Sequence, residues 1–468
     1  MNIEPFVMLD GVRHIGVEAM ATAGVAFDAA IPDCPTGDGR ITATLCCAGP
    51  EPVLVERAGY LIRAPVSASG PDWRVFIDSG ALSWNGVRWL SDMDALPPAS
   101  TAPPVAGAAA VCHRSSLQTV LWQPTTATAL LAGFGGQRRG LNFVDVWPTA
   151  DGRGVGAVEA WQEFALRPPG GGAVTSPLTL RPDEELCLDA FLLMRGGDPL
   201  ALLESFGEEL QRQAATAFDA PPITGYMTWY SKTAAIDEET VMGNLPILAE
   251  LFSGYPQAQR PMLILDHGWQ QHASLGPVAA DADRFPHGLG WLAEQVRAQG
   301  LEPGIWHSLT NVTEDTPNHA ELAPLLATAD DGQPLCATLN LWDAFPEQPA
   351  ERTVNVPDAA LDATHRWWHE QLRTLSDLGL RYFKLDFFAL RTSSANRASA
   401  DAGGLSDRAW QIFREAVTPD THLAPCSCDT NLALGRCDSV RIGADIGEAG
   451  KWPGHAQAYR KGLSSIAA

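Results

Sequence analysis

The sequence predicts an all-β N-terminal region of the sandwich or supersandwich type, followed by a (β/α)₈-type barrel. Short apolar or alternating runs recur over residues 1–197, separated by Gly, Pro and Asp clusters, as in a β-sandwich. From residue 223 onward the pattern changes to repeated strand, loop and helix, which calls for a parallel sheet. Only 19% of the 468 residues are charged, and this low fraction favours large buried interiors.

The N-terminal region contains seven runs that are typical of short strands. They are RITATLCC (40–47), PVLVERAGYLI (52–62), WRVFIDSG (73–80), TALLAGFG (128–135), LNFVDVW (141–147), GAVEAWQEFALR (156–167) and ELCLDAFLLMRG (185–196). We therefore expect an all-β sandwich domain over residues 1–197.

A helical pattern follows the last of these runs. Apolar residues recur at helical spacing from Leu200 to Leu210, and the pattern ends at Ala-Pro-Pro (220–222). We expect a linking helix over 198–222, and the barrel domain over 223–468.

Six strand patterns alternate with helical patterns in the C-terminal region. The strands are predicted at 223–230, 261–267, 301–308, 381–388, 421–427 and 437–444, and the helices at 238–252, 289–300, 358–379 and 407–417. The segment GFGGQRRG (133–140) has Arg138 where a dinucleotide-binding loop needs Gly. The barrel is therefore favoured over a doubly wound sheet.

A complete barrel has eight strands, and the six predicted strands leave this one without its last βα units. Residues 309–357 are expected to form a long insertion after the third strand. We therefore expect a C-terminally truncated barrel whose unpaired strand edges favour self-association and poor solubility. A homo-oligomer is one form that such association could take.

The chain carries a strongly negative charge, because 32 Lys and Arg stand against 55 Asp and Glu, for a net charge of −23. Such a surface repels nucleic-acid phosphates and anionic membranes, so we expect neither as a partner. No segment is typical of a signal peptide or a transmembrane helix, and the cytoplasm is the expected location. The nine Cys show no metal-ligand spacing, so we expect neither a metal site nor a cofactor.

Side chains able to carry chemistry follow the predicted strands, at the edge where barrel enzymes place their active sites. In strand order they are Trp229, Asp266, Trp306 with His307, Asp386, Cys426 and Asp445. The strand period of two places Lys384 on the same face as Asp386, and Arg441 shares the parity of Asp445. A Lys beside a carboxylate keeps that carboxylate ionised, as a nucleophile requires.

The inventory of acids and indoles at the strand ends favours a carbohydrate substrate. Two carboxylates on different strands, one ionised and one protonated, are the minimal machinery of glycoside hydrolysis. Acids at strand ends also serve metal-assisted lyases and enolisation, and the residue pattern alone leaves these interpretations open.

Five segments together carry a family resemblance. They are MTWY (227–230), LDHGWQ (265–270), DRFPHGLGWLAEQVRAQGLEPGIWHS (283–308), YFKLDF (382–387) and RIGADI (441–446). Over about residues 223–455 the chain resembles glycoside hydrolase family 36, the melibiase-type α-galactosidases of clan D. The resemblance implies a retaining hydrolase of small α-linked oligosaccharides or glycosides, with Asp386 as the nucleophile and Asp445 as the general acid and base.

The resemblance implies two further sets of site residues. The set that hydrogen-bonds the sugar hydroxyls is Asp266, Lys384 and Arg441. The set that lines the pocket is Trp229, Trp306, Trp452 and Cys426.

One position departs from the family pattern. Many members carry two consecutive acids after the second strand, where this chain has Asp266 and His267. An imidazole offers one donor and one acceptor where a carboxylate only accepts, so the sugar and its linkage stay open. His267 either faces the ligand or is an ordinary loop histidine with satisfied hydrogen bonds.

Two other functions are compatible with the same motifs. A transglycosylase of the raffinose-synthase type would transfer the sugar to an acceptor other than water. A truncated and inactive relic would at most bind sugar.

Overall fold

The computed structural model of the chain describes most of the residues between 2 and 441. The described residues are 2–29, 39–63, 73–78, 87–90, 112–136, 138–150, 154–164, 177–214, 223–255, 260–329, 331–340, 351–388, 390, 392–393, 396, 402–428 and 432–441. They fall into two compact units. The first contains the described residues up to 214 with 396 and 402–406, and the second contains those of 223–393 and 407–441.

Antiparallel strands dominate the first unit. The described strands are β1 (Asn2–Leu9), β2 (Val12–Ile15), β3 (Val25–Ala29), β4 (Gly39–Ile41), β5 (Ala43–Cys47), β6 (Val53–Arg63), β7 (Arg74–Asp78), β8 (Val87–Leu90), β9 (His113–Ser116), β10 (Gln118–Gln123), β11 (Thr128–Phe134), β12 (Leu141–Pro148), β13 (Val155–Glu163), β14 (Leu178–Leu180), β15 (Glu185–Cys187) and β16 (Phe191–Gly196). The helical segments are α1 (Val17–Thr22), the 3₁₀ turn Pro124–Thr126 and α2 (Pro199–Ala214). The prediction of a β-rich N-terminal region is confirmed.

Two large sheets share one hydrophobic core. Among the described strands, one sheet has the order β2-β1-β6-β13-β12-β9, with β14 also paired to β6, and the other has the order β4-β16-β11-β10-β7-β8. A smaller sheet has the order β15-β5-β3. Each large sheet contributes buried apolar side chains to this core. These side chains include Val7, Tyr60, Ile62, Val158, Val75, Val120, Leu131 and Phe191.

Helix α2 covers one part of this core. It packs against β10, β11 and β16, and the buried side chains of Leu202 and Phe206 lie one turn apart in the shared core. The helix predicted after the β-rich region therefore forms over Pro199–Ala214. Residues 215–222 lie outside the described part of the chain.

Gly59 lies in β6, opposite Trp161 of the neighbouring strand β13. A Cβ atom at this position would overlap the carbonyl oxygen of Ala160 and lie 2.7 Å from the Cα atom of Trp161. Backbone atoms in the middle of a sheet cannot move aside as a flexible side chain can. The close approach of β6 and β13 therefore requires glycine here.

The second unit alternates strands with helices. Its described strands are β17 (Gly225–Met227), β18 (Met262–Leu265), β19 (Glu302–His307), β20 (Val312–Thr313), β21 (Cys336–Asn340), β22 (Glu351–Asn355), β23 (Tyr382–Leu385) and β24 (His422–Pro425). Its helices are α3 (Trp229–Lys232), α4 (Glu238–Leu251), α5 (Gly288–Ala298), α6 (His319–Leu322) and α7 (Asp362–Asp377), with 3₁₀ turns at Gln271–Ala273 and Ala323–Leu325. A last helix, α8 (Ala402–Ala416), precedes β24. Within the described ranges, no helix has the length and apolar content that crossing a membrane would need.

Five of these strands form a parallel sheet in the order β17-β18-β19-β23-β24, with β17 and β24 at its ends among the described strands. Five of the six predicted barrel strands are therefore found, with narrower bounds. The register places Lys384 of β23 opposite Trp306 of β19 and Ala424 of β24. Because the strands are parallel and in register, the residues that follow them lie along one edge of the sheet.

The prediction of a strand over 223–230 is wrong for the second half of that range. Strand β17 ends at Met227, and Trp229 begins the short helix α3. The chain turns at Thr228, whose backbone has helical angles (φ −69°, ψ −23°) and whose hydroxyl accepts a hydrogen bond from the Asp266 backbone N–H. The hydrogen bonds that join Thr228 to Ile264 of β18 and to Asp266 therefore outweigh the strand propensity of the sequence around it.

The sixth predicted strand, 437–444, is not a strand in its described part, 437–441. The backbone N–H groups of Asp438 and Arg441 donate to β24 carbonyl oxygens, as a paired strand would. The N–H of Leu423, however, donates to the carboxylate of Asp438 at 2.7 Å and not to a backbone carbonyl. The Asp438 carboxylate thus accepts a hydrogen bond that a backbone carbonyl would accept between two paired strands. Residues 442–444 lie outside the described part of the chain.

The insertion predicted at 309–357 is not a plain loop. Strands β20, β22 and β21 form a three-stranded antiparallel sheet, with β22 in the middle. The segment LCATLNLW, which the sequence places within the insertion, supplies strand β21. Because these strands are antiparallel and pair with one another, they add no strand to the parallel sheet.

We expect Gly59→Ala to destabilise the first unit by about 2 kcal/mol or more, because overpacking against backbone cannot relax. The measurement is urea unfolding followed by circular dichroism. Gly49→Ala is the matched control, since a Cβ atom at Gly49 meets no atom within 4 Å, and it should change stability by about 0.5 kcal/mol at most. Equal stabilities of the two variants would contradict this account of β6.

Candidate active site

The candidate active site lies at the edge of the parallel sheet where the strands end. Asp266 follows β18, Asp386 follows β23 and Cys426 follows β24, while Trp306 is the penultimate residue of β19. Lys384 lies within β23, two residues before Asp386, so both share one face of the strand. The structure therefore brings together five residues that the sequence predicts for the site.

The carboxylate of Asp386 is held on both oxygens. Its Oδ2 accepts a hydrogen bond from the indole Nε1 of Trp306 at 2.9 Å, and its Oδ1 accepts one from the backbone N–H of Phe387 at 2.8 Å. Its own N–H donates to the carbonyl oxygen of His307 at 2.9 Å, which extends the ladder between β19 and β23. The residue is 8% exposed, so its orientation is set by the protein and not by water.

Asp266 and Lys384 form a buried ion pair. The Nζ atom of Lys384 lies 2.8 Å from Oδ2 of Asp266, and the two side chains are 8% and 2% exposed. The other oxygen of Asp266 accepts a hydrogen bond from the His267 N–H at 2.8 Å. The ammonium also donates to the sulfur of Met227 at 3.6 Å.

Burial and neighbouring charges shift the pKa values of Asp386 and Asp266 in opposite directions. Burial alone would raise the pKa of Asp386, but the positive charge of Lys384 and the hydrogen bond from Trp306 outweigh burial and lower it. The charge of Arg441 and a hydrogen bond from Ser427 act in the same direction. For Asp266, in contrast, burial prevails over its bond with Lys384 and raises the pKa. Asp386 is therefore the carboxyl group that the site keeps ionised most firmly.

Asp266 and Asp386 both affect the pKa of the Lys384 ammonium group. Burial would lower its pKa, but the negative charges of Asp266 and Asp386 raise it well above its ordinary value. Lys384 is therefore charged at neutral pH, and it supplies one positive charge near two carboxyl groups.

His267 is a buried histidine with one ring nitrogen already engaged. Its Nε2 donates to the carbonyl oxygen of Ala273 at 3.1 Å, since a carbonyl can only accept. The ring stacks on Trp306 with centroids 4.3 Å apart and lies parallel to Trp229 at 6.5 Å. Burial lowers the pKa of His267 to about 4, so the ring is neutral at pH 7. The neutral ring is thus held by a hydrogen bond and a stacking contact beside the predicted pocket wall.

A small apolar cluster surrounds Trp306. Its buried members are Ala234, Ala273, Leu275, Trp306 and Val354, and the rings of Trp229 and Phe387 pack against it. Val354 belongs to β22, so the antiparallel sheet of the insertion reaches the candidate site. The insertion therefore contributes a buried side chain to the surroundings of Trp306.

The remaining predicted residues are placed as follows. The N–H of Cys426 donates to Leu385 at 2.7 Å, and its side chain is buried beside β23. The N–H of Arg441 donates to Pro425 at 3.2 Å, which places this arginine at the C-terminal end of β24. Asp445 and Trp452 lie outside the described residues.

Sequence reasoning missed two residues near the site. Thr228 supports the backbone of Asp266, and it could have been found because it directly follows β17. Arg352 of β22 is buried, pairs with Asp315 at 3.0 Å, and its charge contributes to the lowered pKa of His267. No sequence signal pointed to Arg352, because its place beside the site depends on the pairing of β22 within the insertion.

The described residues contain no group of three or more His, Cys, Asp or Glu side chains arranged to hold a metal ion. At the sheet edge itself, the Asp266 carboxylate is bonded to the ammonium of Lys384 and to the backbone N–H of His267.

Comparison with known proteins places these features in context. No family model matches the chain. The curated α-galactosidase mel1 of Schizosaccharomyces pombe is 26% identical over 95 residues, which cover 20% of this chain and 21% of that protein. The α-galactosidase of Lachancea cidri is 30% identical over 93 residues, which cover 20% of this chain and 19% of that protein. The matched stretch thus spans about a fifth of each curated relative.

Solved structures match over nearly the whole chain. The α-galactosidase TtGalA of Thermus thermophilus, solved with stachyose, has a TM-score of 0.60 and 20% identity, covering 99% of this chain and 85% of that chain. The GH36 α-galactosidase AgaA of Geobacillus stearothermophilus has a TM-score of 0.61 and 14% identity, covering 99% of this chain and 66% of that chain. The resemblance predicted from the motifs is thus confirmed at the level of structure. The chain has the fold of the glycoside hydrolase family 36 α-galactosidases.

Proposed function

We propose that the chain is a retaining α-glycoside hydrolase that acts on α-galactosides, with Asp386 as the nucleophile and Asp445 as the general acid and base. The observation that carries this proposal is the environment of Asp386. Asp386 directly follows a parallel strand. Its carboxylate is oriented by two N–H donors and lies near the buried charge of Lys384. A nucleophilic carboxylate needs these three properties: position, orientation and ionisation.

The proposed reaction has two steps. Asp386 attacks the anomeric carbon while Asp445 gives a proton to the departing glycosidic oxygen, which leaves a glycosyl ester on Asp386. Asp445 then takes a proton from a water molecule as that water attacks the anomeric carbon and releases Asp386. Two inversions give net retention, and Asp445 regains its proton in the second step.

Neighbouring residues fit the binding of a sugar in this proposal. The ion pair of Asp266 and Lys384 supplies a buried acceptor and a buried donor beside the nucleophile, suited to hydroxyl groups. The rings of Trp229 and Trp306 supply apolar faces for the C–H surface of a pyranose. Arg441, Cys426 and Trp452 complete the proposed pocket, as the family resemblance implies.

The substrate class rests on the proteins that the chain resembles. TtGalA has been solved with stachyose and with p-nitrophenyl α-D-galactopyranoside, and both curated relatives are named α-galactosidases. We extend this substrate class to the chain as part of the proposal. The proposal also includes a (β/α)₈ barrel, of which the five described parallel strands would form part.

Asp386→Asn should lower kcat on p-nitrophenyl α-D-galactopyranoside by about four orders of magnitude or more, because an amide cannot form the glycosyl ester. The release of p-nitrophenol measures the rate. Asp377→Asn is the matched control, since Asp377 is an exposed carboxylate at the end of α7, and it should keep wild-type activity. Similar rates for the two variants would remove Asp386 from the reaction.

Asp445→Ala should distinguish substrates by their leaving group. With an α-galactosyl disaccharide the variant should lose about 10²- to 10⁴-fold in kcat/KM, the usual contribution of a general acid. With a dinitrophenyl α-galactoside, which departs without a proton, the loss should be far smaller. Equal losses on the two substrates would reject Asp445 as the acid.

Lys384→Met should move the acidic limb of the pH profile. Asp386 must be ionised to attack, and Lys384 lowers the pKa of Asp386, so wild-type activity falls only when the pH drops through that lowered value. Without the ammonium the pKa rises, and the acidic limb of kcat/KM should shift to higher pH by about 1 to 3 units.

Lys384→Arg retains the positive charge and serves as the control for this shift. Its acidic limb should stay close to that of the wild type. Circular dichroism should first establish that both variants fold, because loss of the ammonium leaves Asp266 buried without a counter-charge. An unchanged acidic limb in folded Lys384→Met would show that Lys384 does not control the ionisation of the nucleophile.

A further inference from the structure

We propose that Thr310 and Asn311 are positioning residues for Asp386, and that they act by holding the carbonyl group of Phe387. The inference deepens the proposed function and rests on Asp386 being the nucleophile. Neither residue touches the carboxylate itself. Both follow β19, at the start of the insertion 309–357.

Phe387 has an unusual backbone conformation. Its φ angle is +52°, in the left-handed region that side chains larger than glycine seldom adopt. In this conformation its N–H donates to Oδ1 of Asp386 at 2.8 Å. A strained residue beside a functional carboxylate persists only where surrounding contacts impose it.

Thr310 and Asn311 supply those contacts. The hydroxyl of Thr310 donates to the carbonyl oxygen of Phe387 at 3.0 Å, and the amide Nδ2 of Asn311 donates to the same oxygen. Asn311 Nδ2 also lies 3.1 Å from the hydroxyl oxygen of Ser308, which it can reach with its second hydrogen. The Phe387 carbonyl thus accepts two donors from one short segment.

Burial makes these bonds difficult to replace. Thr310 and Asn311 are 2% and 3% exposed, so bulk water does not compete for the Phe387 carbonyl. The ring of Phe387 adds a third restraint, because its centroid lies 5.8 Å from that of Trp306 in an edge-to-face arrangement. Without the two donors, Phe387 is free to relax toward an ordinary φ angle, which turns its N–H away from Asp386.

Loss of either donor should leave the Asp386 carboxyl group less well oriented and raise its pKa. Thr310→Val and Asn311→Ala should each lower kcat on p-nitrophenyl α-D-galactopyranoside by about 10- to 100-fold, with KM changed by about threefold at most. The acidic limb of kcat/KM should rise by about half a pH unit or more, since a hydrogen bond to the carboxylate is lost. Thr310→Ser keeps the donor and should restore near wild-type values.

Thr364→Val is the matched control for Thr310→Val. Thr364 is fully buried and donates its hydroxyl to the carbonyl oxygen of Leu325, so the same chemistry is removed far along the chain in α7. It should leave kcat and the acidic limb unchanged. If Thr310→Val and Asn311→Ala keep the kcat and the acidic limb of kcat/KM of this control, the proposal is overturned.

A second measurement keeps the inference separate from the proposed function. The Asp386 carboxyl can be titrated by NMR in protein carrying ¹³C at the aspartate Cγ atoms, with its signal identified by its loss in Asp386→Asn. A pKa higher in Thr310→Val and Asn311→Ala than in the wild type and Thr364→Val supports the positioning role, and equal pKa values overturn it. Failure of the wild type to hydrolyse any α-galactoside would reject the proposed function and leave this titration to decide the positioning role.

Discussion

The buried ammonium of Lys384 is the charge on which the described site depends. It lies 2.8 Å from Asp266, and its charge lowers the pKa of Asp386, so a single cation serves two carboxyl groups. Removing one member of a buried ion pair typically costs about 3–5 kcal/mol, because the partner is left uncompensated. Buried charges at a strand edge add little to stability, and their arrangement is typical of a functional site.

The parallel sheet determines which side chains surround this charge. Strands β18, β19 and β23 are neighbours in register, so Asp266, Trp306 and Asp386 meet at one edge although about 120 residues separate the first from the last. Strand β19 does most of the positioning. It supplies the His307 carbonyl and the Trp306 indole to Asp386, and the segment after it reaches Phe387.

Sequence reasoning recovered the parts of the site that depend on local pattern. Strand period and strand ends are local properties, and they were enough to place Lys384, Asp386 and Asp266 together. Contacts between distant segments carry no such signal. The hydrogen bond that the Asp266 N–H donates to Thr228 and the place of Arg352 beside the site depend on tertiary structure, and the hydrogen bonds of Thr228 shortened the first strand. The antiparallel sheet of the insertion depends on pairing between separate segments, which local pattern does not specify.

The central claim is that Asp386 forms a covalent bond to the sugar, and trapping that bond tests it most directly. The chain would be incubated with a 5-fluoro-α-galactosyl fluoride, which forms the glycosyl ester quickly and loses it slowly, and then analysed by mass spectrometry of the intact protein and of its peptides. The account predicts one added fluorogalactosyl group per chain, located on Asp386. An adduct on another residue such as Asp266, or turnover of the reagent with no adduct at all, would contradict it.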